Sequence, residues 1–271
     1  MRIFVAVLLV ICSVPSFAWG PEGHRVVADI ARDHLNAQAR RAVIQLLGDD
    51  DLASISNWAD EIRRERRETY GWHFVDIPWN ADGFSESRDC YKPTERDPSS
   101  FSDHHNCIVD RIAVFEQVLA DRQASRADRV EALKFLVHFV GDVHQPLHAV
   151  GRARGGNDIY IVQFGSSRCG SRACDLHGTW DFGLVEHTHQ NEQEYTNYLE
   201  KVIRREHLES QAGGTPGDWA NESFHLAREV WLNDGQAVDQ SYYRRNIPIA
   251  DRRLALAGLR LARILNDALG K

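Results

Sequence analysis

No apolar run in this 271-residue sequence reaches the roughly 18 to 20 residues that a bilayer-spanning helix requires. Net positive charge is missing too: 32 Lys and Arg against 39 Asp and Glu leave a formal charge of -7. A chain of that sign has no general attraction for a polyanion, so any phosphate it recognises must be held locally, with metal-borne charge the readiest means. Cysteine is scarce, with five in all. No internal repeat, low-complexity linker or break in composition appears after residue 18, which excludes repeat arrays and disordered tails. One mainly α-helical, multi-helix domain with a small β-hairpin is the simplest reading.

What is present starts with a leader. Residues 1–18 carry one cation (Arg2), an apolar run from Ile3 to Ile11 and a small-residue end at Ser16-Phe17-Ala18, the pattern of a cleavable signal peptide. Ile11 before Cys12 argues against a lipid-modified cysteine. The mature chain is expected to begin at Trp19, as a soluble domain over residues 19–271 that is exported to the periplasm or the extracellular space. Losing Arg2 and no acid, it carries a formal charge of -8. Its four cysteines, Cys90, Cys107, Cys169 and Cys174, suggest two disulfides in an exported chain. Sequence proximity favours Cys90 with Cys107 and Cys169 with Cys174, although four cysteines allow three pairings.

Helical periodicity runs through most of the chain. Trp19 to Leu47 and Asp51 to Glu68 read as helices, as do Ile108 to Leu119 and Ala127 to Val143. So do His177 to Val185, Glu192 to Arg205, Gly217 to Trp231 and Ile249 to Leu269. Residues 79–106 read as a long loop pinned by Cys90, and Gly151 to Asn157 as a glycine-rich loop. The alternation in Asp158 to Phe164 suggests a small strand or hairpin.

The chemistry concentrates in Leu136-Val-His-Phe-Val-Gly-Asp-Val-His-Gln-Pro-Leu-His148, where His138, Asp142 and His148 stand among apolar residues. Buried imidazole and carboxylate need partners. His138 and Asp142, four apart, share one helix face and can converge on one cation, while Pro146 redirects His148. A second His-x3-Asp pair is His177 with Asp181. Thirteen histidines and 23 aspartates give about one such pair by chance, so spacing alone decides little. Asp60, His73 and His24 lie upstream as further nitrogen and carboxylate donors. A donor set without thiolates suits a catalytic zinc site that keeps positions open for water.

Taken together, these positions resemble the zinc-dependent single-strand-specific nucleases and 3'-nucleotidases of the S-one/P-one type, distantly related to bacterial zinc phospholipases C. The resemblance spans essentially the whole mature chain. It implies a metal cluster at the bottom of a cleft, holding three zinc ions. Asp60, His73, His138 and Asp142 resemble the ligands of one. Trp19, through its α-amino nitrogen and carbonyl oxygen, joins His24 and a bridging Asp142 at the second, and His148, His177 and Asp181 serve the third. Only leader cleavage creates that amine, so the uncut precursor should lack one complete site.

By the same resemblance, a metal-activated water hydrolyses RNA and single-stranded DNA to 5'-phosphorylated products, with 3'-mononucleotides as further substrates. Asp76 orients the water and Arg63 stabilises the transition state. Phe74 stacks a base, while Asn157 or Asp158 reads its edge. No protein partner is implied, and a monomer is expected. Two competing readings are a zinc phospholipase C acting on lipid head groups and a non-catalytic zinc-binding or storage protein.

Overall fold

The computed structural model describes residues 19–90 and 107–270; the leader read at residues 1–18 lies outside them, as do His104 and His105. Helices α1 (Gly20–Asp33) and α2 (Ala37–Leu47) form where apolar residues recur at three and four. Pro21 occupies the first turn of α1, where a missing N–H breaks no hydrogen bond, and Asn36 caps α2 by accepting from the backbone of Gln38 and Ala39. The short α3 (Trp58–Glu61) and α4 (Glu86–Asp89) precede α5 (Ile108–Ala120) and α6 (Arg126–Asp142). α7 (Leu176–Gly178) and α8 (Leu184–Glu186) flank a π-helical turn at Thr179–Gly183. α9 (Glu192–Glu206), α10 (Pro216–Val230) and α11 (Gln240–Leu269) complete the helices; α9 and α10 start with capping boxes, Asn191 with Glu194 and Thr215 with Asp218.

The 30-residue α11 packs against α1, α2, α5, α6 and α9 and forms the spine. α6 is enclosed by α1, α2, α3, α5 and α11, and every residue from Phe135 to Asp142 is buried. That enclosure explains why the end of α6 is apolar on all sides in sequence. It also means that His138 and Asp142, both fully buried, must find polar partners inside the protein.

Three local expectations change. Asp51 to Glu68 is not one helix: turns lead into the four-residue α3, followed by 3-10 segments at Ile62–Arg64 and Arg67–His73. A tertiary contact overrides the periodicity here, because the Ser56 carbonyl turns to accept from His138 Nδ1 at 2.7 Å. In the 158–164 stretch only β1 (Val162–Gln163) forms, and it pairs in parallel with the distant β4 (Ala237–Val238). The hairpin lies further on, where β2 (Arg168–Cys169) meets β3 (Arg172–Ala173) across Gly170 at φ 64°. The last helix begins at Gln240 rather than Ile249. Asp239 caps it, accepting from Tyr242 N at 2.8 Å, and Pro248 lies within it.

Both proximity pairings of cysteines are present, Cys90–Cys107 and Cys169–Cys174. The first joins two buried residues 17 apart in sequence. Closing a loop of that size stabilises by about 3 kcal/mol. Replacing Cys90 and Cys107 together by alanine is therefore expected to lower stability by about that amount in denaturant titration. The five-residue Cys169–Cys174 loop should contribute less.

Candidate metal centre

The end of α6 supplies the middle of the site. His138 and Asp142 are one turn apart, with Nε2 of the histidine 3.3 Å from the carboxylate. α1 brings His24 Nε2 to 3.2 Å from the same Asp142. His73, at the end of the 3-10 segment, places Nδ1 3.0 Å from Asp142 and 3.7 Å from Asp60. Asp60, from α3, also lies 3.5 Å from His138 Nε2. Four elements far apart in sequence thus converge on two buried carboxylates.

A second convergence lies beyond Pro146. His148 Nε2 is 3.7 Å and His177 Nε2 is 3.4 Å from the Asp181 carboxylate, and the two rings stack at 4.9 Å. The π-helical turn carries Asp181, and Trp180 within it anchors through its indole N–H to the Tyr242 hydroxyl at 3.0 Å. Trp19 is fully buried; its indole N–H donates to the Gly141 carbonyl at 2.9 Å, and its ring meets Trp180 edge-on. The first described residue is therefore pinned between the two clusters.

The residues fit metal ions on three grounds. Three sets can each direct donor atoms within 4.8 Å of one another: His24, Asp60 and His138; His73, His138 and Asp142; His148, His177 and Asp181. Backbone carbonyls of Ser56, His73 and Gly155 accept the Nδ1 protons of His138, His148 and His177, which leaves each Nε2 lone pair facing the cluster. Both ring nitrogens of His24, Nε2 of His73, His138 and His148, and one oxygen each of Asp60 and Asp142 are buried without a hydrogen-bond partner. Orphaned donor atoms at this density cost several kcal/mol unless a cation takes them up.

Charge points the same way. Burial opposes protonation of His138, but Asp142 and Asp60 outweigh it and raise the pKa to about 9. At His73 burial dominates and the pKa falls to about 4. The carboxylates thus demand positive charge between them, a demand met by a proton on His138 or by a bound cation.

The surrounding side chains come from short loops. The segment after His73 is extended: Val75 N donates to the His148 carbonyl and Gly151 N donates to the Ile77 carbonyl, with Asp76 between Val75 and Ile77 in sequence and Phe74 just before them. Arg63, its side chain only 8% exposed, donates to Asp60 at 2.8 Å. Asn157 and Asp158 both engage Arg154, the first through its carbonyl at 2.7 Å and the second through its guanidinium.

Sequence reasoning passed over three positions. The amide of Gln145, fully buried, donates to Asp181 at 2.7 Å while its oxygen accepts from Leu147 N. A β-carbon on Gly141 would lie 2.8 Å from His24 Nδ1, and one on Gly155, at φ 64°, would lie 2.6 Å from the Leu147 carbonyl and 3.1 Å from His177. The available signal was a glycine inside an apolar helix, where it costs about 1 kcal/mol against alanine, and an amide between two histidines in the same stretch.

A buried His/Asp centre in a mainly helical chain has a family to match. A profile of the S1/P1 Nuclease family covers residues 19–270, and the chain belongs to that family. It is accordingly a phosphodiester-hydrolysing endonuclease that acts on nucleic acid. Endonuclease 4 of Arabidopsis thaliana is 31% identical over 93% of this chain and 89% of its own. Nuclease P1 of Penicillium citrinum is 30% identical, covering 93% and 98%, and Nuclease S1 of Aspergillus oryzae 26%, covering 91% and 90%.

Proposed function

We propose that this chain is an exported nuclease holding three zinc ions, which hydrolyses RNA and single-stranded DNA to 5'-phosphorylated products and removes phosphate from 3'-mononucleotides. The observation that carries this reading is the three convergent His/Asp groups, with buried atoms of His24, Asp60, His73, His138, Asp142 and His148 left without a hydrogen-bond partner. Asp60, His73, His138 and Asp142 would hold one ion; Asp142, His24 and the Trp19 terminus a second; His148, His177 and Asp181 the third. Zinc bound there would supply Lewis acidity toward a phosphodiester oxygen and lower the pKa of water in its shell toward roughly 7.

The chain's own groups do the rest. Asp76 accepts a hydrogen bond from the attacking water and aims it at phosphorus. Arg63, oriented by Asp60, faces the negative charge that develops on the phosphate oxygens. Phe74 stacks the base on the 3' oxygen's own nucleoside, and Asn157 or Asp158 contacts the base edge. Stacking needs an open base face, which an intact duplex hides. The mature enzyme would be residues 19–271, freed of a signal peptide at residues 1–18 and acting as a monomer outside the cytoplasm. Two disulfides suit that compartment, and among the described residues no helix is long and apolar enough to cross a membrane.

Turnover of single-stranded DNA beside phosphatidylcholine, each with and without chelator, tests the reading. Chelator-sensitive cleavage of the DNA is expected. Hydrolysis of the lipid alone would replace it with the phospholipase reading, and zinc binding without turnover of either substrate with the storage reading.

Gln145 gives a finer test. Its amide fixes which oxygen of Asp181 turns to the ion, and losing such a partner typically costs 10–100-fold in metal affinity. Gln145→Leu is expected to shed one zinc in that range of competing chelator while retaining the other two. Retention of all three would show that Asp181 needs no such support.

A further inference from the structure

Four consecutive residues, Ala153, Arg154, Gly155 and Gly156, have φ of 46, 51, 64 and 87°. They make a left-handed turn, a backbone form that residues with a β-carbon take up only where their surroundings hold them in it. Glycine accounts for the second half of the turn, but Ala153 and Arg154 have no such freedom. The turn is joined to the metal centre on two sides. Just before it, Gly151 N donates to the Ile77 carbonyl at 3.0 Å, and a β-carbon on Gly151 would lie 3.2 Å from that of Asp76. Within it, the Gly155 carbonyl accepts the Nδ1 proton of His177 at 2.8 Å. A partner of that kind selects the tautomer of a ligating imidazole and aims its other nitrogen.

A group that holds the turn left-handed must reach outside it. Arg154 pairs with Asp158 of the same loop, so that contact fastens the turn to nothing else. The exposed Arg152 does reach out. Its guanidinium carbon lies 4.4 Å from the ring centroid of Trp79 and 5.0 Å from that of Trp231, and the two indoles meet at 4.9 Å. The Trp79 carbonyl accepts from Arg228 of α10 at 2.6 Å, and Trp231 is the residue that ends α10. Both rings thus belong to the body of the fold, and indole is the aromatic face that attracts a guanidinium most strongly. We propose that Arg152 is a positioning residue for the ion at His148, His177 and Asp181. Stacked on Trp79 and Trp231, it holds Ala153 to Gly156 in the left-handed turn, and the Gly155 carbonyl in turn directs His177 Nε2 to the ion. The proposal rests on the three-zinc reading and adds to it the group that fixes one ligand from outside the centre.

The test is zinc retained per chain against rising chelator, for wild type, Arg152→Ala, and Arg152→Ala combined with Ala153→Gly. Arg152→Ala is expected to release one of its three ions at about tenfold lower chelator, the low end of the loss that follows when a ligating histidine is deprived of its partner. The other two ions should be held as in wild type. Adding Ala153→Gly should recover most of the loss, because glycine enters the left-handed region at no steric cost. Earlier release of all three ions together, or no change in any, overturns the proposal. So does a single-ion loss that the glycine leaves uncorrected, since the strained turn would then not be the route from Arg152 to the ion. A wild type with fewer than three ions before chelator is added would fell the three-zinc reading, and the role of Arg152 with it.

Discussion

Asp142→Asn is expected to lower kcat/KM on single-stranded DNA by about a thousandfold or more and to reduce zinc content at the same time. Asp142 is fully buried, and His24, His73 and His138 all approach its carboxylate within 3.3 Å. The three histidines hold its pKa well below the usual carboxylate range, against the effect of burial. Asparagine keeps the shape and removes the charge, leaving three imidazoles facing a neutral amide. Breaking a buried ionic partnership of this kind costs about 3–5 kcal/mol, and each 1.4 kcal/mol is tenfold. Zinc by mass spectrometry and steady-state rates on one preparation check the result. Full activity would remove Asp142 from the centre of the mechanism; a loss of rate with full zinc would make it an orienting group.

Glu222→Gln is expected to produce the largest loss of stability, about 4 kcal/mol. Arg253 and Arg260 are both buried, with side chains 3% exposed, and both donate to Glu222, Arg253 at 2.5 Å and Arg260 at 2.6 and 2.8 Å. Each also reaches the segment that carries the site: Arg253 donates to the His144 carbonyl, and Arg260 reaches His144 Nε2 at 2.8 Å. Burial and the two guanidinium groups hold the His144 pKa well below its ordinary value, so the neutral ring accepts from Arg260 and donates through Nδ1 to Val140. Without Glu222, two buried cations lose their counter-ion. For a domain of this size the loss corresponds to a melting temperature lower by about 10 °C, measurable by calorimetry. A shift under about 2 °C would mean that solvent at the half-exposed carboxylate already compensates the pair.

His138, Asp142, His148, His177 and Asp181 were legible in the sequence because polar groups inside apolar helical patterns carry a cost that needs a reason. The helices themselves were legible from period and caps, as at α5, α6, α9 and α10. Asp60 was not, taken singly: beside four arginines it reads as a surface carboxylate, yet it is buried and paired with Arg63. The break in the 51–68 stretch was hidden because its cause, the Ser56 carbonyl turned toward His138, comes from 82 residues away. The same holds for β1, whose partner strand is supplied by residues 237–238. Gln145 and the Arg253–Arg260–Glu222–His144 network likewise depend on distant side chains, which no local pattern announces. Periodicity records which face of a segment is buried, but not which backbone groups are diverted to orient a distant imidazole.

The measurement that bears most directly on the proposed three-zinc centre is zinc per chain, determined on protein that starts at Trp19 and on protein that retains residues 1–18. Three ions are expected in the first and two in the second, because only the cleaved chain offers an α-amine at Trp19, with an ordinary pKa of about 7.7 to 8, that a divalent ion can hold neutral. Three ions in both preparations, or fewer than three in the cleaved chain, would contradict a second site completed by the terminus of Trp19.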